Sequence, residues 1–455
     1  MPLEVVVLAA SHGNRMHSRT PKVFHKVLGK PMLAHVLETV HSIGAERVHV
    51  VLLPNMQDRA AKLLGDDVSW VHQTEPRGTG HAVQQALPHI ATDSRVLVIS
   101  GNTPLYTEKT LARTLAEDPQ NLVMVTTELE NPSGYDSICR DEQNRVCGVS
   151  KDCDTNLGQK CISEVNGGVI AAPVQLLKDL LGKLESRNAH DELHLTDIVA
   201  LAAEEGVSVN TVPASHSNEV VAINDRVQLA RSERIMALQR ADELMASGVT
   251  LRDPKRFDLR GSLHAGMDCC IDINVIVEGD VELGDDVEIG PGCVLRDVRI
   301  GDGVRVHEHC VVESATIGDR CTIGPLARIR PDSTLEDDVR IGNFVEVKAS
   351  RIGRGTKAGH LAYIGDADVG QDVNVGAGAI TCNFDGASKH RTIIGDNVFI
   401  GTNCTMVAPL KIESGAFIAA GSTITSDVTG NVLAVGRARQ RIISRWISPR
   451  KRKKA

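Results

Sequence analysis

Residues 317–347 read IGDRCTIGPLARIRPDSTLEDDVRIGNFVEV, and residues 394–424 read IGDNVFIGTNCTMVAPLKIESGAFIAAGSTI. In the first stretch Ile317, Ile323, Ile329, Leu335, Ile341 and Val347 fall six apart, and in the second so do Ile394, Ile400, Met406, Ile412, Ile418 and Ile424. Neither a helix nor an ordinary strand repeats every six residues. A coil of three short flat faces does, because each face sends one aliphatic inward and each coil stacks on the last. The spacing predicts a parallel β-helix. Its pattern begins near Ile271, passes through Leu283, Ile289 and Leu295, slips at Ile300 and Ile352, and lapses between Val347 and Ile394.

Upstream the pattern changes. Apolar runs at 5–10, 48–53, 68–72, 96–100 and 122–127 alternate with helical spacing at 32–42, 79–87 and 108–116. That alternation predicts a parallel sheet with helices on both faces. Ligands of such sheets bind beyond the carboxyl ends of the strands, which directs attention to residues 11–22, 73–81 and 101–105. Between the halves, Val227, Leu229, Ile235, Met236, Leu238, Leu244 and Met245 recur among charges and stop at Gly248, the pattern of one amphipathic linker helix over 225–247.

Composition narrows the function. The 455 residues, 42% apolar, suffice for two or more cores, and only 2% are aromatic, so those cores are aliphatic. A net charge of −8 argues against nucleic acid as a partner. The one basic block, with nine Arg and Lys between 437 and 454, reads as a solvated tail. Eleven cysteines without a CxxC pair or zinc spacing suit reduced thiols in a cytosol, and no apolar stretch is long enough to span a bilayer. A cytoplasmic protein without membrane contact is expected. His307, Glu308 and His309 lie together, but alternate residues of a coil point outward and no further ligand stands near them in sequence.

The loop after the first strand, SHGNRMHSRTPKV, is neither GxGxxG nor a Walker loop. It places Gly13, Arg15 and Lys22 where two cations could neutralise a triphosphate. In QTEPRGTGHA, Gly78, Thr79 and Gly80 open a helix and leave backbone free for close approach of a ligand.

These segments carry a resemblance. The order LAA, GNRM, PKV, Q with GTGHA, a G-x-x-PL turn, NGGV and VAIN precedes RPDSTLEDDVRIGNFVEVK, KAGHLAYIGDADVGQDVNVGAGAITCNFDG and TIIGDNVFIG. Over essentially its whole length the chain resembles the bacterial bifunctional N-acetylglucosamine-1-phosphate uridylyltransferase/glucosamine-1-phosphate acetyltransferase family. The resemblance implies a Rossmann-like nucleotidyltransferase α/β domain over 1–224, the linker helix over 225–247, and a left-handed parallel β-helix acetyltransferase domain over 248–455. It implies acetyl-CoA, glucosamine 1-phosphate, UTP and N-acetylglucosamine 1-phosphate as substrates, Mg²⁺ as cofactor, a homotrimer with a shared acetyl site, and a product that feeds cell-wall synthesis.

An amine attacks a thioester only when unprotonated, so acetyl transfer needs a base of near-neutral pKa, usually histidine. His360 in KAGHLAY matches the family's base. The resemblance places the sugar phosphate on Arg330 and Lys348, the sugar on Tyr363 and Asn374, and Lys389 in the same loop. Asn383 matches a residue that orients the histidine and contacts the acetyl group. Ala377, Thr402, Ala420 and Arg437 match acetyl-CoA positions, as does Phe384, where a tyrosine is usual. A serine is usual at Thr402.

For uridylyl transfer, Leu8, Ala9, Ala10, Arg15, Lys22, Gln73, Gly78, Thr79, Gly101, Asn166 and Asn224 match the family's pocket, with Asn224 matching one ligand of Mg²⁺. Four positions depart: LAAS has Ser11 for glycine, GNTPL has Asn102 for the aspartate that holds Mg²⁺, GYDS has Asp136 for glycine, and Lys151 stands at a glutamate. Mg²⁺ favours charged oxygens, and an amide at Asn102 offers one neutral oxygen. The departures imply an impaired uridylyl step, slowed roughly a hundred- to a thousandfold. Alternatives are an acetyltransferase with an inactive nucleotide-binding remnant, and a non-catalytic sugar-nucleotide scaffold. Intact His360, Asn383, Arg330 and Lys348 argue against the second.

Overall fold

The structure is a computed structural model that describes residues 1–65, 67–150, 162–185 and 192–446. Two compact units emerge, residues 1–236 and 237–455, with the division inside the long helix Arg226–Ala246.

In the first unit the central strands run in the order Val209–Pro213, Leu122–Glu128, Glu164–Pro173, Arg95–Ser100, Leu3–Leu8, Arg47–Leu52 and Ser69–His72. Val5, Val7, Leu97, Ile99, Val123 and Val125 fill the core on one face of this sheet, while Val6, Val96, Val98, Leu122 and Met124 fill the other. Strands buried on both faces read as continuous apolar runs, which is why the sequence revealed them. The helices Met32–Ser42 and Glu108–Ala116 fall where expected, and Thr79–Ala86 ends one residue early.

The expected parallel sheet carries one exception among these seven strands. Glu164–Pro173 runs antiparallel between Arg95–Ser100 and Leu122–Glu128. It follows the hairpin Ser137–Arg140 and Val146–Ser150 and pairs antiparallel with it through Val165 and Ser137.

At the amino ends of these strands a buried carboxylate holds three elements together. Glu4 accepts hydrogen bonds from Ser94 Oγ at 2.7 Å and the Ala91 amide at 2.9 Å, and pairs with His49 Nε2 at 2.7 Å. Burial pushes the Glu4 pKa up, but the bonds from Ser94, His49 and Ala91 outweigh it and hold the group below its ordinary 4.5. A depressed folded pKa contributes stability that is present above the unfolded value and disappears as pH falls through the folded one. Glu4→Gln is therefore expected to destabilise the full chain by about 1–3 kcal/mol at pH 7. The gap in thermal unfolding between variant and wild type should narrow below about pH 4; a constant gap across that range would contradict the pairing.

The second unit is a parallel β-helix. One face is a ladder of 11 short strands from Thr250–Leu251 to Leu433–Ala434. The other two faces form one 16-stranded sheet, because the strands Phe257–Ala265, Val275–Leu283 and Val294–Ile300 bend from one face to the next. All twelve aliphatics of the two six-residue runs are buried in the axial core. Where a glycine follows one of the inward aliphatics, it has a steric reason. A Cβ on Gly284, Gly301 or Gly318 would lie 2.2, 2.3 or 2.6 Å from the carboxylate of Asp302, Asp319 or Asp337 one coil later. Those carboxylates accept from the amides of Asp285, Asp302 and Asp319, closing one corner of the stack.

Successive coils are 17 or 18 residues apart, as in the pairs Asp302 to Asp319 and Asp319 to Asp337. One coil is longer: the Gln371 amide bonds to Asp396, 25 residues away. Its extra residues form a loop near 383–390, inside the interval where the sequence period lapses.

Candidate functional sites

At the carboxyl ends of Leu3–Leu8, Ser69–His72 and Arg95–Ser100 lies a cavity of about 300 Å³. Leu8, Ala9, Ala10, Lys22, Gln73, Gly78 and Thr79 line it, as do the departing residues Ser11 and Asn102. Gly101 follows the strand Arg95–Ser100, where a Cβ would stand 3.2 Å from the Leu8 carbonyl, and Arg15 is exposed nearby. Gly13 adopts φ 70°, and a Cβ there would meet Lys22 Cβ at 2.6 Å, so the turn folds onto the lysine stem. Gln73 Nε2 donates to the Gly78 carbonyl at 3.1 Å, and Thr79 Oγ1 accepts from the Leu195 amide at 2.9 Å. Glu192 and His194 also line the cavity and went unpredicted, since they lie far along the chain in a segment without motif or periodicity.

Lys22 is the electrostatic centre of this cavity. Burial first, and the Arg15 guanidinium second, pull its pKa down to about 8. Its Nζ donates to Asn224 Oδ1 at 2.9 Å. Asn102 Nδ2 donates to the Ile223 carbonyl at 2.9 Å and to the same Asn224 Oδ1 at 3.4 Å. Oxygens of the kind Mg²⁺ takes are present at Asn224 and Asn102, but both are neutral amides, and one already receives an ammonium. The cluster fits a divalent cation only when the charge comes from bound phosphates. Asn166 sits on Glu164–Pro173, where its Oδ1 accepts from the Gly168 amide and its own amide donates to the Asp136 carbonyl. Lys151 lies outside the described residues.

A larger cavity, about 740 Å³, lies beside Arg140, Arg145, Glu204 and Asn210 and contains none of the predicted residues. Its arginines are already paired, Arg140 with Glu164 and Arg145 with Asp141.

On the β-helix, one group of polar side chains converges beside the long coil. Lys348 Nζ contacts Asp366 Oδ2 at 3.0 Å, Asn383 Nδ2 donates to the same oxygen, and Asn383 also reaches the Tyr363 hydroxyl at 3.5 Å. Arg330 Nη1 pairs with Glu346 at 2.7 Å. Burial would raise the Asp366 pKa, but Lys348 and Asn383 outweigh it and hold the carboxyl below its usual range. The neighbouring Lys348 ammonium lowers the pKa of Lys389, while Asp366 raises that of Lys348. Three cations thus gather beside two carboxylates, Glu346 and Asp366, and keep net positive charge. The Tyr363 ring lies so close over Gly365 that a Cβ there would stand 2.4 Å from its hydroxyl.

The inserted loop braces itself. Asp385 accepts from the amides of Ala387 and Ser388 and pairs with His390 at 2.6 Å, which holds its carboxyl far below the ordinary value. Phe384 bridges to Lys389, and the His390 amide donates to the Asn383 carbonyl at 2.7 Å. The loop therefore presents Asn383 and Lys389 from a fixed base, with the Phe384 ring 61% exposed.

His360 and Asn374 stand on the adjoining face, in Lys357–His360 and Asn374–Val375. The partner of His360 is Asn343: Nδ1 lies 2.6 Å from Asn343 Oδ1, whereas Asn383 is turned to Asp366 and Tyr363. Sequence reasoning missed Asn343 and Asp366. Both lie 17 residues before a predicted residue, one coil away.

Ala377, Thr402, Ala420 and Arg437 form one file. The Asn403 amide bonds to the Ala377 carbonyl, the Gly421 amide to the Thr402 carbonyl, and Arg437 Nη1 to the Ala420 carbonyl at 2.6 Å. Gly376 and Gly401, whose Cβ atoms would strike the next coil at 2.7 and 2.5 Å, flatten this corner. A flat file ending in a guanidinium suits an extended ligand with a phosphate-bearing end. Among the described residues no cluster of three or more His, Cys, Asp or Glu is arranged to hold a metal, and no helix is long and apolar enough to cross a membrane.

Comparison with known proteins accords with both architectures. Residues 5–187 match the MobA-like NTP transferase domain, residues 260–352 the GMPPB C-terminal domain, and residues 391–426 the bacterial transferase hexapeptide of six repeats. A protein of Alkalilimnicola ehrlichii named "Bifunctional protein GlmU" is 49% identical over 450 residues, which cover 99% of this chain and 97% of that one. Proteins of the same name from Pseudomonas putida and Idiomarina loihiensis are each 46% identical, and the alignments cover 100% of both chains. With an NTP transferase domain ahead of a left-handed hexapeptide β-helix and such identity from end to end, the chain belongs to the bifunctional GlmU family of enzymes.

Proposed function

We propose that the β-helix transfers acetyl from acetyl-CoA to the amine of glucosamine 1-phosphate, and that the first domain joins the product to UTP, releasing pyrophosphate, at a reduced rate. The observation that carries the first half is the cation cluster of Arg330, Lys348 and Lys389 beside Tyr363 and Asn383, a cradle for a sugar phosphate. There the amine of the sugar attacks the thioester carbon and passes its proton to His360. The C–S bond then breaks and the CoA sulfur leaves with a proton returned from the imidazole. The cluster binds and orients the phosphate end, Asn374 the sugar, and the file from Ala377 to Arg437 the CoA chain.

The first domain retains the pocket for a uridine nucleotide, with Lys22 and Arg15 facing the phosphates. Asn224 would hold Mg²⁺ together with Asn102, and the ion supplies charge neutralisation at the reacting phosphate. Two neutral amides hold it weakly, which is the basis for the reduced rate; Ser11, at the pocket wall, and Asp136 add to it. Free thiol from acetyl-CoA plus glucosamine 1-phosphate measures one half. Pyrophosphate from UTP plus N-acetylglucosamine 1-phosphate measures the other. A pyrophosphate rate in wild type equal to the thiol rate would overturn the impairment, and no thiol release would overturn the acetyl assignment. On this reading the enzyme works in the cytoplasm, on the route to cell-wall precursors.

The active form is a homotrimer on this reading. Leu326, Phe344 and Leu361 stack at one corner on successive coils, 45%, 54% and 60% exposed. Each has positive φ, a conformation that costs a non-glycine residue about 1 kcal/mol or more. Exposed apolar side chains in a strained backbone, one of them adjoining His360, suit a surface covered by further copies of the chain. Phe344→Asp is expected to lose on the order of 2 kcal/mol per interface, to sediment as a smaller species, and to lose acetyl transfer. An unchanged sedimentation coefficient at micromolar concentration would contradict the interface.

A further inference from the structure

We infer that Asn343 is a positioning residue for acetyl transfer, and that its side-chain oxygen holds the His360 imidazole in the tautomer that leaves Nε2 free to take the proton of the amine. The inference rests on His360 as the base. Asn343 and His360 are register partners on adjacent coils, in Arg340–Asn343 and Lys357–His360. Asn343 Oδ1 and His360 Nδ1 are 2.6 Å apart. An amide oxygen only accepts, so the hydrogen between them belongs to Nδ1, and the lone pair of the neutral ring is on Nε2.

The backbone prepares this contact. The residues just before the pair, Gly342 and Gly359, stack so closely that a Cβ on Gly342 would stand 1.9 Å from the Gly359 carbonyl oxygen. The Leu361 amide then bonds to the Asn343 carbonyl at 3.0 Å, and Phe344 and Leu361 turn both coils with φ of 56° and 48°. With both main chains held, only side-chain torsions remain free, and the hydrogen bond settles them for the histidine. A base aimed in advance loses little entropy on reaching the transition state.

The alternative amide orientation would place Nδ2 against an unprotonated Nδ1. The proton would then sit on Nε2, and the ring could not accept one there. Glutamine at 343 would overreach the coil spacing of about 4.8 Å, whereas aspartate keeps the length and can only accept. The charged side chains on the histidine strand and the strand before it are Lys357 and Arg340; Glu346 and Tyr363 follow around the corner. A new carboxylate at 343 would therefore add the one negative charge bonded to the imidazole and favour its protonated form.

Steady-state acetyl transfer by the full-length enzyme over a pH series tests the inference. Asn343→Leu should lower kcat on the order of 10- to 100-fold, with KM for glucosamine 1-phosphate little changed. Asn343→Asp should recover most of that loss and move the acidic limb of the kcat/KM profile to higher pH. Long-range proton–nitrogen spectra of histidine-labelled wild type should show Nδ1 protonated, a readout that stands even when the leucine variant fails to fold. Wild-type kcat in a folded Asn343→Leu, an unmoved limb in Asn343→Asp, or the Nε2–H tautomer in wild type would each overturn the proposal. Failure of its premise looks different: His360→Gln would retain full kcat.

Discussion

His360→Ala is expected to lower kcat for acetyl transfer on the order of 10²- to 10⁴-fold, the range that positioned proton transfer contributes. The amine cannot complete its attack while it keeps the proton, and water is a poor acceptor at neutral pH. The loss should fall on kcat. Arg330 and Lys348, each paired with a carboxylate, and Lys389 in the inserted loop would hold the phosphate without His360, so KM for glucosamine 1-phosphate should stay within a few-fold. The imidazole is exposed and packs into no core, so thermal stability should not change. Thiol release measured across substrate concentrations separates kcat from KM. An unchanged kcat would remove His360 from the mechanism.

Asn102→Asp is expected to raise pyrophosphate formation roughly 100- to 1,000-fold, the equivalent of about 3–4 kcal/mol of barrier. In the native chain the Asn102 amide donates to the Ile223 carbonyl and to Asn224 Oδ1, an oxygen that also receives the Lys22 ammonium. Two donors thus share the Asn224 oxygen, and none of these three side chains is an anion. A carboxylate at 102 would pair with Lys22, free the Asn224 oxygen, and provide the charged ligand that Mg²⁺ favours. The gain should appear in the dependence on Mg²⁺, with half-maximal rate at lower metal concentration, and acetyl transfer should be unaffected. Equal rates in variant and wild type would assign any impairment to Ser11, Asp136 and Lys151 instead.

The two halves were legible to different depths. The apolar runs of the first domain were visible because strands such as Leu3–Leu8 and Arg95–Ser100, buried on both faces, are almost continuously apolar. The strand Glu164–Pro173 was not assigned, and with it the mixed character of the sheet. Its ladder breaks between Asn166 and Ile170, at two glycines. Lys22 was named for its charge, yet nothing local reveals that Asn224, 202 residues away, receives its ammonium.

In the β-helix the inward ladder is a local matter. Each hexapeptide buries its own aliphatic, so the sequence alone determined the coil, its three faces and its core, and it located the interval where the rule lapses. Which outward side chains meet was decided by the tertiary structure. Lys348 reaches Asp366, Asp366 meets Asn383, and Asn343 meets His360 because coils of 17 or 18 residues place them one rung apart. Those contacts depend on the accumulated register of each slip and of the inserted loop. Burial of an aliphatic repeats every six residues whatever its neighbours do, whereas a contact between coils exists only after every intervening residue has been counted.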